Sequence, residues 1–592
     1  MCGIFGYVGK KTNAATIVME GLKRLEYRGY DSWGVAVVPH GKKDDLIVVK
    51  KMAGRIGNAH VRDLPKGTLA FGHTRWATHG GVSDINAHPH LDCTKTIAII
   101  HNGIFENYTD IKQSLLKKGH RFVSETDTEV AVHLIEEYAK TTSFSKAVQK
   151  AFNEMHGLNA IIVMRTTDHQ LIAARNGSPM VVGFGDGENF LASDASALLP
   201  HTKQVHYLED NQMAIIGEGG IMLFNTVSGA HAFPKKQNLS WSAEEAEKGE
   251  YAYYMLKEID EQPGVVADIA ASALGQAEKL AASIKKSGHV YLLGCGTASY
   301  AAVAGEYLFS KIANRHANVA IGSEFGYHLD FLSNKSLVIG LSQSGETMDI
   351  LESVKKAKVK GATIAALVNV MGSSLYREAD QKLLIGAGPE KAVASTKAFT
   401  GMLAHLTLGA YALAGKTKEG ARVLVTAVKS MKNVLGEASI RQIKSLAKKL
   451  KDKEHIYVIG RGLSYPTALE TALKIKEISY IHAEGLAAGE LKHGPLALVT
   501  KGTPCIAFLP DDETYGANLA GAMEMKARGG YIIGIAGKPH EVFDEYIHVS
   551  DAREATIIPN VVVAQLLAYF LTLERGLDPD MPRNLAKSVT VK

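Results

Sequence analysis

The sequence predicts an α+β domain over residues 1–236, followed by two tandem α/β doubly wound domains over 285–425 and 426–580. Three observations lead there. Short β-type runs such as Ile97–Ile100, Ala160–Met164 and Met213–Ile216 fill the first part, with Gly, Asn and Asp between them, as in large antiparallel sheets. From about residue 285, apolar runs alternate with amphipathic helical segments, the pattern of parallel-sheet layers. That second part also repeats: His289-Val-Tyr-Leu-Leu-Gly-Cys-Gly296 matches His455-Ile-Tyr-Val-Ile-Gly-Arg-Gly462, and Glu346-Thr347 returns as Glu513-Thr514 at nearly the same distance.

Taken in order, the first domain ends where the polar stretch from Lys235 to Lys248 interrupts the strand pattern, so residues 237–284 read as a linker with connecting helices. Residues 581–592 form a C-terminal tail. The length of 592 residues suits about four domain-sized units, and a 46% hydrophobic content suffices for packed cores. The 66 Lys+Arg and 61 Asp+Glu are spread without a basic or acidic block, which argues against nucleic acid and for a small-molecule partner. No apolar run reaches the ~18 residues that span a bilayer, and the start lacks a basic signal-peptide region, so a cytosolic protein without membrane contact is expected. Cys2, Cys93, Cys295 and Cys505 show no CxxC spacing, so neither a zinc ribbon nor a disulfide framework is indicated.

Cys2 follows the initiator Met directly. Its small side chain predicts removal of Met1, and the freed α-amine, with an ordinary pKa of ~7.7–8.0, can take the thiol proton, so that one residue supplies nucleophile and base. By position alone Cys2 is as well explained as a small buried apolar residue. Within His73-Thr-Arg-Trp-Ala-Thr-His-Gly80, Arg75 offers a bidentate fork for a carboxylate. In His101-Asn-Gly103, an Asn amide and a Gly N–H suit an oxyanion hole. Asp127 in Ser124–Glu129 suits a substrate ammonium. Each has an ordinary alternative: a structural ion pair for Arg75, a type I′ turn for Asn102-Gly103, a helix cap for Thr126 or Asp127. His73, His79, His88, His90 and His101 lack any metal-ligand spacing, and no metal is expected.

In the second part, Gly340-Leu-Ser-Gln-Ser-Gly-Glu-Thr347 follows a strand and opens a helix with apolar Ile350, Leu351, Val354 and Ala357. Hydroxyls and free N–H groups at a helix N-terminus bind an anion, most simply a phosphate monoester. Ser299 and Tyr465 stand where a dinucleotide fingerprint needs its third glycine, and five residues separate Gly409 from Gly415 where a P-loop has four. No nucleotide or other cofactor is indicated.

Together, Cys2–Gly6, Tyr27–Ser32, His73–Gly80, His101–Gly103 and Ser124–Glu129 resemble the glutaminase domain of the glutamine:fructose-6-phosphate amidotransferase family. Ser342–Thr347, Val393–Lys397, Glu484–Pro495 and Pro582–Val591 resemble its tandem sugar-isomerase (SIS) half, so the resemblance covers essentially the whole chain. It implies an N-terminal-nucleophile glutaminase followed by two SIS domains, with glutamine and fructose 6-phosphate as substrates and a homodimer as the assembly. In that family pattern Cys2 attacks the glutamine amide and Asn102 with Gly103 stabilises the oxyanion. Arg75 and Asp127 bind the α-carboxylate and α-amine, Trp76 gates ammonia, and Thr78 and His79 line the site. Thr297, Ser342, Gln343, Ser344 and Thr347 contact phosphate, and Val393 and Ser395 the sugar. Lys587 forms a Schiff base beneath a tail that covers the sugar, His493 assists ring opening, Glu477 moves the proton and Lys474 lies nearby. Two departures stand out: Trp33 replaces a small residue, and Ala298 replaces a Ser, so a hydroxyl contact to the sugar is either missing or supplied by Ser299. Two other readings compete. An amidophosphoribosyltransferase-like enzyme needs an acidic, Asp-Asp-containing phosphoribosyl pyrophosphate motif, whereas the second half offers sugar-isomerase motifs, and a sugar-phosphate-sensing binding protein has no use for Glu477, His493 and Lys587.

Overall fold

The computed structural model describes residues 2–41, 46–239, 241, 244, 245 and 247–589. By internal contacts the chain divides into two units, residues 1–247 with 586–592, and residues 248–585.

The first unit holds two antiparallel sheets. One runs in the order Gln237–Asn238, Gln204–Tyr207, Val181–Phe184, Glu188–Ala192, Gly3–Gly9, Leu69–Arg75, Ser32–Val38, Val48–Ala53. The other runs His231–Ala232, Gly220–Asn225, Gln212–Gly217, Leu171–Asn176, Asn159–Arg165, Ile97–Gly103, His90–Leu91. Strand alternation sets the layers, because successive side chains point to opposite faces. Ile4 and Val8 of one sheet pack with Ile100, Ile162 and Ala173 of the other in a shared core. Phe5 and Tyr7 turn the other way, onto helix Ala14–Leu25, while Ile97, Ile99 and Ile161 pack on helices Asp127–Ala139 and Phe144–Glu154. The result is a four-layer α+β sandwich, in agreement with the expected antiparallel domain. Trp33 is one of the largest fully buried side chains and sits in the helix-facing core, so the larger residue is accommodated in packing.

The second unit opens with helices Tyr254–Asp260, Gln262–Ser272 and Leu274–Lys286. Two five-stranded parallel sheets follow. Their orders are Asn318–Ile321, His289–Gly294, Ser336–Ser342, Thr363–Val368, Gln381–Leu384, and His482–Ala487, His455–Gly460, Pro504–Leu509, Tyr531–Ala536, Glu545–His548. Numbered within each sheet, both read 2-1-3-4-5, a doubly wound order whose ligand crevice lies at the carboxyl ends of strands 1 and 3. The duplication extends to detail. Gly296 and Gly462 share a φ of +53°, and Thr347 and Thr514 are the N-caps of helices Met348–Val359 and Tyr515–Ala527. By length and composition alone, helix Arg553–Glu574, with a mean hydropathy of 1.8 over an 18-residue window, is apolar enough to cross a membrane, where the sequence reading expected no such run. It is 94% buried and serves as a core helix of this unit.

Candidate active sites

In the first unit, strand register brings the cysteine motif to the arginine motif. Gly3 pairs with Thr74, whose hydroxyl accepts the Gly3 N–H at 3.1 Å, so Cys2 emerges beside Arg75 and Trp76. The Trp76 N–H donates to Cys2 Sγ at 3.2 Å, and Asn102 Nδ2 donates to the Cys2 carbonyl at 3.1 Å. Burial pushes the Cys2 thiol up, while the Trp76 N–H and the Arg75 and Arg28 cations pull it back. Asn102 and Gly103 both belong to strand Ile97–Gly103, not to a type I′ turn. Gly103 has φ +131°, and a Cβ there would lie 2.1 Å from the Leu158 carbonyl, so no other residue fits without strain.

Arg75 is buried, and its guanidinium donates to the carbonyls of His79, Gly80 and Gly81. It therefore fixes the loop that carries Thr78 and His79. Thr78 is exposed, and His79 stands edge-on to Tyr108 at 4.7 Å. Trp76 is half-buried, edge-on to Tyr30 at 5.7 Å. Thr126 is the N-cap of helix Asp127–Ala139, and Asp127 in its first turn accepts the Phe105 N–H at 2.8 Å. A carboxylate at that helix end is favoured by the backbone dipole.

Two supports escaped the sequence reading. His73 Nε2 lies 3.0 Å from the His101 carbonyl and 3.1 Å from Asn102 Oδ1. Both partners are acceptors, so Nε2 carries the proton and fixes the Asn102 amide with Nδ2 toward Cys2. Burial holds His73 neutral, its pKa pushed down to about 3. Behind Cys2, Arg28 Nε donates to the Cys2 carbonyl at 3.3 Å and Arg28 Nη1 pairs with Asp194 at 3.2 Å. The motif Tyr27–Ser32 signalled Arg28, but its partner 166 residues away had no sequence mark.

In the second unit, Ser342 closes a strand-3 position and Thr297 follows strand 1, so both stand at the crevice of the first sheet. Ser342 Oγ lies 3.1 Å from Thr347 Oγ1 and accepts the Gly345 N–H at 3.0 Å, and Ser344 Oγ accepts the Glu346 N–H at 3.1 Å. Gln343 and Ser344 are half-buried on this loop at the N-terminus of Met348–Val359. Ala298 is buried in the core, and the Ser299 hydroxyl donates to the Gly296 carbonyl at 2.7 Å, which commits it locally. Val393 N–H donates to the Asp580 carbonyl at 2.9 Å, and Ser395 Oγ to Glu390 at 3.0 Å.

Lys474 ends helix Ser464–Lys474 of the second sheet's module and is fully buried. Its Nζ donates to Thr297 Oγ1 at 3.1 Å, pairs with Glu470 at 3.4 Å and contacts the Glu477 carboxylate. Glu477 sits on a π-helical turn, Ile475–Ser479, an irregularity common at functional sites. Glu470, missed by the sequence reading, is fully buried, and burial against the opposing pull of Lys474 pushes its pKa up to about 8. One network thus joins the N-terminus of helix Thr297–Ala313 in the first module to the carboxylates of the second. His493 is exposed at the end of the short turn Ala488–His493, and Lys587 lies in the segment 586–592 that groups with the first unit.

Comparison with known proteins matches this geometry. A glutamine amidotransferase domain model matches residues 73–200, and a SIS domain model matches residues 283–412 and again 449–575. Glutamine--fructose-6-phosphate aminotransferase [isomerizing] of Pyrococcus horikoshii is 43% identical, and that of Caldanaerobacter subterraneus subsp. tengcongensis 41%, each over 100% of both chains. The solved C-terminal domain of glucosamine-fructose-6-phosphate aminotransferase from Francisella tularensis is 34% identical over 56% of this chain and 99% of that one, with a TM-score of 0.53. By these full-length similarities the chain belongs to the glutamine--fructose-6-phosphate aminotransferase (isomerizing) family.

Proposed function

We infer that this chain is an enzyme that converts L-glutamine and D-fructose 6-phosphate to L-glutamate and D-glucosamine 6-phosphate, the entry reaction of hexosamine synthesis. The Thr297–Lys474–Glu477 connection supports a reading beyond a glutaminase, because it couples the helix N-terminus at the crevice of the first sheet to a carboxylate suited to moving a proton on a bound sugar. In the glutaminase half, Cys2 Sγ adds to the glutamine amide carbon, its proton passing to the α-amine freed by loss of Met1. Asn102 Nδ2 and the Gly103 N–H hold the oxyanion, ammonia departs, and water releases glutamate from the thioester. Arg75 and Asp127 hold the amino-acid end of glutamine, Thr78 and His79 line its pocket, and Trp76 gates ammonia.

In the isomerase half, Thr297, Ser342, Gln343, Ser344 and Thr347 take the phosphate, with Val393 and Ser395 at the sugar. His493 assists ring opening and Lys587 forms the ketose imine. Ammonia replaces the imine at C2, and Glu477, held by Lys474, moves a proton from C1 to C2. The water consumed at the thioester equals that released on imine formation, so the equation balances. A homodimer with His493 reaching the neighbour's sugar site, and a cytoplasmic location, complete the proposal. The test is glucosamine 6-phosphate formation from glutamine and fructose 6-phosphate. Cys2→Ala should abolish the glutamine-dependent reaction and leave fructose 6-phosphate binding intact, whereas Glu477→Gln should leave glutamine hydrolysis and remove the product. Mixed His493→Ala and Lys587→Ala chains should recover activity; no recovery refutes the shared site.

A further inference from the structure

The histidines that drew attention in the sequence are not the ones that converge on a cysteine. His120, in the loop after helix Tyr108–Lys117, and His133, within helix Asp127–Ala139, turn their Nδ1 atoms to within 3.4 Å of each other. Cys93 Sγ, on the turn between strands His90–Leu91 and Ile97–Gly103, stands 3.7 and 3.5 Å from those two atoms. Glu136 Oε2, one helical turn beyond His133, lies 3.1 and 3.0 Å from them. Four donor atoms at ~2.0–2.3 Å from a tetrahedral centre stand about 3.3–3.6 Å apart, and the spacings here, 3.0–3.7 Å, bracket that range.

We propose that Cys93, His120, His133 and Glu136 form a zinc site in the first unit, a site the sequence expectation of no metal did not foresee. A thiolate, two imidazoles and one carboxylate make a set suited to zinc and unsuited to calcium or magnesium, which take oxygen ligands. The outer ring atoms carry the second mark of a metal centre. His120 Nε2 faces Glu137 Oε2 at 3.2 Å, and His133 Nε2 faces Glu129 Oε1 at 3.8 Å. His120 thus has the carboxylate–histidine–metal arrangement, its Nε2 at hydrogen-bond distance from a carboxylate and its Nδ1 inward, while the His133 Nε2 makes no hydrogen bond. A purely hydrogen-bonded cluster instead has to aim both Nδ1–H groups at one carboxylate oxygen. His120 and His133 are buried while Cys93 is exposed, so the ion enters from solvent past the thiol, whose proton is released to water on binding.

Four protein ligands close the shell, so the site is structural and not catalytic. It ties the Cys93 turn and the His120 loop to helix Asp127–Ala139. The ligands come from three segments, which is why no ligand spacing shows in the sequence. The inference is independent of the reaction proposed above, because its readout is metal.

The experiment strips the full-length chain with a chelator and titrates it with Co²⁺ and then Zn²⁺. Expected are about one equivalent bound per chain, a thiolate-to-cobalt charge-transfer band with tetrahedral d–d bands, and loss of the spectrum when zinc displaces cobalt. Cys93→Ser should abolish the charge-transfer band and His133→Ala should lower retained zinc at least tenfold, whereas Cys2→Ala, which removes the other thiol of the unit, should change neither. Should a variant misfold, the wild-type titration still decides. A folded wild-type apo-chain that takes up no metal, or a Cys93→Ser chain with an unchanged cobalt spectrum, overturns the proposal.

Discussion

Replacing His73 with Leu tests whether the oxyanion donor is held in place by the residue behind it. His73 Nε2–H is shared between the His101 carbonyl and Asn102 Oδ1, at 3.0 and 3.1 Å, and with it gone the Asn102 amide keeps only its bond to the Cys2 carbonyl. A hydrogen bond of this kind contributes ~0.5–1.5 kcal/mol net, and ~1.4 kcal/mol is a factor of about ten in rate. The expected result is a roughly tenfold fall in kcat for glutamine hydrolysis with KM nearly unchanged, since the donor acts in the transition state. Asn102→Ala, which deletes the donor outright, should cost ~10²–10³. If His73 acts through Asn102, the double variant is no slower than Asn102→Ala alone. Thermal melting run in parallel accounts for the ~1–3 kcal/mol expected for leaving a buried carbonyl without its donor. Full kcat in His73→Leu, or multiplicative losses in the double variant, would refute the positioning role.

Three further outcomes follow from burial and backbone geometry. Glu470, with its carboxyl pushed up to about 8, keeps its proton at neutral pH, so Glu470→Gln should hold glucosamine 6-phosphate synthesis within about threefold. A loss equivalent to the ~3–5 kcal/mol of a broken buried ion pair would show the carboxylate to be ionised instead. The raised pKa also means that this group favours the fold at low pH and loses that contribution as pH rises from about 4.5 through 8, a decline the Gln variant should lack in native-state hydrogen exchange of helix Ser464–Lys474. His73 has the opposite sign: its pKa of about 3 lies below the unfolded ~6.5, so its contribution is present above pH 6.5 and lost as pH falls toward 3. That loss is of order 5 kcal/mol, read as falling exchange protection of strand Leu69–Arg75 that His73→Leu blunts. Gly345 has φ +65°, and an added Cβ would lie 2.0 Å from Ser373 Oγ, so Gly345→Ala should distort the phosphate loop at ~1–3 kcal/mol and raise KM for fructose 6-phosphate at least tenfold while basal glutamine hydrolysis stands.

What could be read in the sequence was whatever periodicity or a local motif encodes. Alternating runs such as Ile97–Ile100 do form strands of an antiparallel sheet, and Ile350, Leu351, Val354 and Ala357 do line the buried face of one helix. Motifs at strand ends fell where ligands approach, because the register Gly3 to Thr74 and Ser32 to Arg75 aligns them without further information. What escaped the reading depends on partners far apart in the chain. Asp194 supports Arg28, and Glu470 reaches Thr297 only once two modules pack, so their burial and their pKa values belong to the fold and not to any window of residues. Cys93, His120 and His133 are separated by 27 and 13 residues, and only the packing of a turn, a loop and a helix brings them together.

The two SIS modules share strand order and cap positions, yet only one carries the hydroxyl-rich loop proposed to bind the anion. After strand 3 the first module has Ser342-Gln-Ser-Gly-Glu-Thr347, whereas the second has Pro510-Asp-Asp-Glu-Thr514. Three acidic residues there oppose a phosphate dianion, and Asp512 already accepts the Thr514 hydroxyl at 2.6 Å and the Thr514 N–H at 2.8 Å, closing that helix N-terminus with its own carboxylate. The second module has instead turned the helix after its first strand toward the partner, where Lys474 and Glu470 meet Thr297. Duplication therefore supplied two equivalent crevices; the first is the proposed anion site, and the second module contributes the buried Lys474 and Glu470 side chains. Converting Asp511-Asp512 to Ser-Gly should consequently lessen the acidic repulsion without creating a working second site, since Glu513 remains and is held by Lys311 at 2.8 Å; sugar-phosphate stoichiometry by calorimetry should stay unchanged, and a newly catalytic second site would overturn this division of labour.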